Sequence, residues 1–483
     1  MREKRRVVIR LTSLTLDGVR NVSHGTMVFD DLESGGSVTG IYGQNGSGKT
    51  SVIDAIDILR SLIAGRRLPE GSADAINVDT NTATIAALYR LTGEDIPTSY
   101  IEYVVTLEGG HADRMARVIG EELRVGANPK RMGRPVMSRR RSGEDITRTP
   151  AYAWRSLRSI DAIRGDCDFF DRANQFDGMS FLFAPCASVS RRQGEEGLLL
   201  SRFCAIALDS KGLSSRTREY LSDKVLPMGE LMERLAAYAR NDVYVSTTRR
   251  SSLASYQYAP IVDIRTGRTI ILNLLEPNLM TDDRLARVHG IIDTYNLLLP
   301  SLIPHLHLSL KESPAPSDEQ GNSRTQVEVM SSRGGKAFPF RNESEGIIRI
   351  TMLLSFYIRA YNDPDVLVAV DELDSGVFEN LLGDMLRQMA SGIRGQLIFT
   401  AHNQHPLAVL PGTCMRTTVV DPDDRFNRGP KIKTTNNGRN VYHNSADLGW
   451  DGPDLYEAPP ARMFANALFR AGHPKPKPES DHA

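Results

Sequence analysis

Gly43-Gln44-Asn45-Gly46-Ser47-Gly48-Lys49-Thr50 meets the phosphate-loop pattern G-x-x-x-x-G-K-[ST] at every fixed position. Ser37 to Tyr42 before it reads as a short buried strand, and Ser51 to Leu59 after it carries apolar residues at helical spacing. A glycine-rich turn between a strand and a helix lets backbone N–H groups approach a phosphate while the positive helix end points at it. Asn45, Gly46, Ser47, Gly48 and Ser51 supply this cradle. Lys49 adds a mobile ammonium for the β- and γ-phosphates, and the Thr50 hydroxyl completes the coordination of Mg²⁺. A chance glycine turn would not also bring the Lys, the Thr and the strand–helix context. The ligands expected are therefore ATP and Mg²⁺.

The 483 residues have room for two or three domains, or for one large core with insertions. Hydrophobic content of 40% and charged content of 24% exclude wholesale disorder. The 59 basic and 59 acidic residues cancel, which argues against coating nucleic acid by bulk charge and leaves that task to a local basic patch. No apolar run approaches the ~18–20 residues of a membrane span, and Met1 to Arg6 leads into a strand rather than a signal-peptide core. A cytoplasmic protein without a membrane partner is expected. Cys167, Cys186, Cys204 and Cys414 show neither C-x-x-C spacing nor a His cluster, so they read as reduced packing residues rather than zinc ligands.

Working outward, residues 6–17 and 24–31 read as two antiparallel strands entering the loop, and 82–91, 100–107 and 116–119 as three strands of a side sheet. From Leu123 to Ile160 the periodicity fades amid Lys130, Arg131, Arg134 and Arg139-Arg140-Arg141, and the stretch reads as an insertion. A solvated loop is the favoured reading of this charge run, with a contact for phosphates or an acidic partner as the sharper alternative. Residues 195–240 are helical by pattern, a stripe that serves more often as core than as a dimer surface. Strands follow at 243–247 and 269–274, then a helix over 285–298 and strands at 306–310 and 325–330 around a Pro/Ser/Asp-rich loop, 312–324. The tail Gly472 to Pro478 has no means of packing.

Val366 to Val370 is a continuous apolar run ending in Asp371-Glu372, the pattern of a Walker B strand buried on both faces. Asp371 is assigned to the Mg²⁺ shell and Glu372 to the attacking water. Gln396 to Ala401 is a second buried strand capped by His402, which is placed to sense the γ-phosphate, with His405 a bystander.

These motifs, with Glu343-Ser344-Glu345-Gly346 before a helix, resemble an ABC-type ATPase of the SMC, Rad50 and OLD branch. The resemblance implies an α/β, ABC-type (P-loop NTPase) head with a mixed central sheet, an antiparallel side sheet and a helical, basic insertion. It also implies that Ser344 and Gly346 reach across a homodimer, or a higher homo-oligomer, to ATP held by the other subunit. A narrower likeness, carried by Gly40 to Gly46 and Val118 to Leu123, is to stand-alone ATPases of bacterial anti-phage systems, RloB-associated or of PARIS type. That implies a separate protein effector such as a Toprim nuclease, and a phage protein as trigger. Arg192-Gln193-Gly194-Glu195 resembles the Rad50 glutamine loop, although a Gln-Gly pair is also a common turn. The Leu-Ser-Gly-Gly-Gln spelling of transporter motors is absent, and Phe378 stands where SMC-like proteins often carry the D-loop Asp. The expected division is lobe one, 1–123; insertion, 124–289; lobe two, 290–445; and a C-terminal extension, 446–483. A RecF-like or Rad50-like DNA repair ATPase is the alternative function, kept open by the basic run.

Overall fold

The computed structural model describes residues 7–32, 35–93, 96–109, 115–143, 145–161, 163–165, 178–184, 198–247, 259–262, 269–316, 323–427, 437–448 and 452–456. The chain enters with β1 (Val7–Val19), β2 (Val22–Val28) and β3 (Ser37–Tyr42), then α1 (Lys49–Ile63). Next come β4 (Thr82–Gly93), β5 (Ile96–Glu108), β6 (Arg117–Gly126), β7 (Met137–Ser142) and β8 (Asp145–Thr149). In the order β2-β1-β4-β5-β6-β7-β8 these strands form an antiparallel side sheet. Helices α2 (Ala151–Arg158), α3 (Leu199–Asp209), α4 (Ser215–Tyr220) and α5 (Leu226–Asn241) lead to β9 (Val243–Ser246). The hairpin β10 (Ala259–Val262) and β11 (Thr269–Leu272) precedes β12 (Asn278–Met280), α6 (Asp282–Leu302), β13 (His307–Ala315), β14 (Arg324–Arg333) and β15 (Lys336–Pro339). The last part holds α7 (Glu345–Asn362), β16 (Leu367–Val370), α8 (Glu379–Gly392), β17 (Gln396–Thr400), α9 (His405–Val409), β18 (Met415–Thr418), β19 (Phe426–Asn427) and α10 (Gly438–Leu448).

The central sheet runs β19-β18-β3-β17-β16-β9, parallel except for β19, so the fold is α/β with the expected mixed sheet. Every residue of β3, β16 and β17 is buried, as strands covered by helices on both faces must be. On one face, α1 packs among the inward residues of the side sheet and α5, with Ile53, Leu59, Leu14, Leu16 and Leu235 in one apolar cluster. On the other, Val38, Val368 and Leu397 join Leu386 of α8 and Leu407 of α9. A third cluster fills the space between α6, α7 and β12–β14.

One side chain joins the two sheets. Strand β2 pairs with β1 only from Ser13 onward, which leaves the main-chain edge open at Leu11. Gln396, 2% exposed, fills that edge: Leu11 N donates to its Oε1 at 2.9 Å, and its Nε2 donates to Leu11 O at 2.9 Å. A buried amide satisfied on both sides substitutes here for a strand.

Three expectations are corrected. The boundary at 123 falls inside β6, and the side sheet continues through β7 and β8, so the basic run is a strand rather than a solvated loop. Arg139 is 7% exposed, with its guanidinium 5.2 Å from the centroid of Phe181, and Arg140 pairs with Glu122 at 2.7 Å. Charged side chains here are matched by carboxylates on β6, which lets a polar run hold a place in a sheet. Residues 243–246, expected within the insertion, form the edge strand of the central sheet beside β16. The loop expected from 312 begins later, because β13 runs to Ala315. Pro314 is tolerated there because β13 lies at the edge of its sheet. In the helical stretch, Phe203, Met232 and Leu235 are core residues. Cys204 and Cys414 are buried free thiols, whereas Cys167, Cys186, Gln193 and the tail 472–478 lie outside the described residues. Among the described residues, no helix is long and apolar enough to cross a membrane.

Candidate functional site

The phosphate loop leaves β3 and turns into α1 on left-handed glycines, Gly46 at φ 78° and Gly48 at φ 90°. At Gly43 the constraint is space, since a Cβ there would lie 1.8 Å from Thr418 Oγ1 on the neighbouring β18. Ser47 Oγ donates to Gln44 O at 2.7 Å and also meets the Thr418 hydroxyl, so β18 braces the loop. Asn45 and Gly46 are exposed at the tip, whereas Ser47, Gly48, Lys49 and Ser51 are buried. Lys49 Nζ donates to Gly43 O at 2.9 Å and Gln44 O at 3.0 Å, folded onto the loop it would share with a phosphate. Burial lowers its pKa from the ordinary lysine value, opposed by the carboxylates of Asp371, Glu372 and Asp374.

The second half arrives on β16 and β17. Thr50 Oγ1 donates to Asp371 Oδ1 at 3.2 Å, and Asp371 is fully buried. Thr400 Oγ1 donates to the same oxygen at 2.6 Å while accepting from Glu372 N at 2.8 Å. Leu373 N donates to Thr400 O at 2.9 Å, and Arg349, 4% exposed, donates to Asp371 O at 2.7 Å. Glu372 sits at φ 49°, a conformation that costs a non-glycine residue on the order of 1–3 kcal/mol and persists only where neighbours hold it. One turn on, Asp374 Oδ2 accepts from His402 N at 2.9 Å and Asn403 N at 2.6 Å, which ties the β17 end to the loop after Asp371. The His402 side is exposed. The Thr50 hydroxyl and the Asp371 carboxylate are hard oxygen donors side by side, a pair that fits Mg²⁺.

Ser344 is the N-cap of α7, exposed and making no side-chain cap bond. Gly346 is buried, and a Cβ there would lie 1.9 Å from Gly376 O, so α7 starts in backbone contact with the loop that follows Asp371. The sequence reading thus placed Asn45 to Ser51, Asp371, Glu372 and His402 around one point. It missed Thr400, Asp374, Arg349 and Thr418. Thr400 stands two residues before His402 and Asp374 two residues after Glu372, and a polar residue at the end of a buried strand was the signal available for Thr400. Two cavities flank this region. One, of about 370 Å³, opens beside Gln44 and Asn45. The other, of about 480 Å³, lies between α1 and residues 69–75 and is lined by the acidic residues Asp54, Asp57, Glu70 and Asp74, of which Asp54 pairs with Arg20 and Asp57 with Arg60.

Residues 38–153 match a family model described as "AAA domain, putative AbiEii toxin, Type IV TA system". The matched segment holds the phosphate loop, α1 and strands β4 to β8 of the side sheet. No curated protein matches the chain. Solved structures similar to it include the Smc head domain from Pyrococcus furiosus, bound to the C-terminal domain of ScpA, at 13% identity, 87% of this chain, 96% of that one and a TM-score of 0.38. The SMC head domain from Thermotoga maritima covers 88% of this chain and 100% of its own at 13% identity and a TM-score of 0.35. The recombination mediator protein RecF of the RecFOR pathway does so at 13% identity and a TM-score of 0.37, again with 88% of this chain and 100% of its own.

Proposed function

We propose that the protein is an Mg²⁺-dependent ABC-type ATPase switch, in which two copies close on two ATP molecules and control a separate effector in bacterial anti-phage defence. The observation that carries the nucleotide half is the Thr50–Asp371 contact, which brings residues 321 positions apart to the end of the phosphate loop. Lys49 exchanges the carbonyls of Gly43 and Gln44 for phosphate oxygens. Bound between Thr50 and Asp371, Mg²⁺ would supply charge neutralisation of the transferring phosphoryl group. Glu372, held by Thr400, accepts a proton from water placed in line with the γ-phosphorus. His402 hydrogen-bonds the γ-phosphate and senses its loss. Ser344, uncapped and exposed, is free to serve the ATP of a second copy, with Gly346 fixing the start of its helix.

The defence role is supported by the sequence resemblance and by the matched family's description, which names a toxin of a type IV TA system. A Toprim nuclease acting in trans and a phage protein trigger complete the reading. The DNA repair alternative leaned on the basic run. Arg139 is buried, Arg140 is paired with Glu122, and Arg148 and Arg216 stack on Trp154 and Tyr152 of the same chain.

In purified protein, Glu372→Gln is expected to keep ATP bound while turnover falls by ~10²–10⁴, the span for removing a general base. Unchanged turnover would sink the assignment. The defence half is tested by phage plating on cells carrying the chain with its genomic neighbours, wild type against Lys49→Ala, where equal plating would count against it.

A further inference from the structure

Tyr42 and Asp374 each bury a polar atom that has no hydrogen-bond partner among the described residues, in one case a donor and in the other an acceptor. The donor is the hydroxyl of Tyr42, the last residue of β3 before the phosphate loop, 2% exposed and packed edge-on against Phe399 of β17 with ring centroids 6.4 Å apart. The acceptor is Asp374 Oδ1. The other oxygen of that carboxylate is committed to His402 N and Asn403 N.

The fold brings the two together. β3 pairs with β17 in a register that sets Ile41 against Thr400, so Tyr42 runs alongside Ala401, the residue before His402. Tyr42, Ala401 and Leu373 share one apolar cluster, which puts the turn carrying Asp374 on the same side of the sheet as the tyrosine ring. Burial first, and then the Asp374 charge, raise the Tyr42 pKa well above the ordinary tyrosine value, as a carboxylate within electrostatic reach of a phenol does. Leaving both atoms unpaired is costly, and one hydrogen bond between them satisfies both. Lys49 connects this pair to the nucleotide. Its Nζ holds Gly43 O and Gln44 O, the two carbonyls that follow Tyr42, and Asp374 is one of the carboxylates that favour its charge.

We propose that Tyr42 is a positioning residue for ATP turnover: when a triphosphate draws Lys49 off the Gly43 and Gln44 carbonyls, the Tyr42 hydroxyl donates to Asp374 Oδ1 and locks the end of β17 that carries His402. This role rests on the ATPase reading and names the contact by which an occupied phosphate loop sets the His402 loop. Releasing the two carbonyls frees the chain directly after Tyr42, which lets the phenol close on the carboxylate. Asp374 then bridges two strands, with Oδ1 bound to β3 and Oδ2 to the backbone after β17. Glu372 stands two residues before it in the same turn, so the lock also steadies the residue assigned to the water.

The test uses the full chain in the Glu372→Gln background, without nucleotide and with saturating ATP and Mg²⁺, and reads hydrogen exchange at the His402 and Asn403 amides together with the melting temperature. Tyr42→Phe keeps the ring and removes the hydroxyl. Without nucleotide it is expected to melt no lower than its parent, because the group removed has no partner there. With ATP, the nucleotide-induced slowing of exchange at the two amides is expected to shrink roughly tenfold or more, the span of one hydrogen bond to a charged group. Asp374→Asn, which offers an amide where the acceptor is needed, should lose the same increment, and the double variant should lose no more than either single one. Slowing in Tyr42→Phe equal to that of the parent, or additive losses in the double variant, would overturn the lock and leave the ATPase reading standing. A parent that responds to ATP and Mg²⁺ in neither measurement would overturn the ATPase reading and the lock with it.

Discussion

Thr400 has one hydroxyl and two obligations, donating to Asp371 and accepting from Glu372 N. It thereby fixes the carboxylate that faces Thr50 and the backbone of the residue assigned to the water. At 1% exposure it has no solvent to replace either bond. Thr400→Val keeps the shape and removes both, leaving a buried N–H unpaired at a cost of about 1–3 kcal/mol. If Asp371 holds Mg²⁺, the Mg²⁺ concentration for half-maximal turnover is expected to rise roughly tenfold, tenfold corresponding to about 1.4 kcal/mol. The maximal rate should fall as well, because Glu372 loses its anchor. Metal-free nucleotide binding should be unchanged, and Thr400→Ser should restore the wild-type curve by returning the hydroxyl. A Thr400→Val protein with the wild-type Mg²⁺ titration would make Thr400 a packing residue only.

At the scale of elements, β7 behaves differently from β3, and the difference explains what was legible. β3, β16 and β17 are buried on both faces, so their sequences are continuous apolar runs that can be read locally. In β7, Ser138-Arg139-Arg140-Arg141 is stabilised by residues about twenty positions earlier: the Arg139 charge lowers the pKa that burial raises in Glu121, and Arg140 pairs with Glu122. No local window contains those partners. The same holds for Arg416 on β18, buried because it donates to Val28 O and Asp30 across the sheets. The site followed the same rule. Glycines and paired carboxylates advertise themselves, whereas the hydroxyls of Thr400 and Thr418 mean nothing until two strands are aligned. The three arginines therefore divide. Arg139→Ala is expected to destabilise the protein by ~3 kcal/mol, the effect of leaving a buried charge without its partner. Arg140→Ala, whose side chain is 73% exposed, should shift the melting temperature little. Equal melting temperatures for the two variants would mean that Arg139 contributes nothing to the core.

At the scale of the molecule, the phosphate loop and the α7 start are halves of a site that a second copy completes in the proposed dimer. Mixing two inactive variants tests this, and the structure decides which variants are usable. A bulky residue at Gly346 would strike Gly376 O of its own chain and disturb the loop after Asp371, so inactivity would be uninformative. Ser344 is exposed and makes no side-chain cap bond, so Ser344→Arg alters the displayed face with little cost to its own fold. Lys49→Ala supplies the other parent, with an intact α7 start and a disabled loop. Each parent alone has no complete site in the dimer, whereas a mixed dimer has one. With random pairing and independent sites, an equal mixture is expected to recover about a quarter of wild-type turnover, half the dimers being mixed with one working site of two. Turnover in the mixture no higher than in either parent would favour sites built within one chain, or two sites that must fire together.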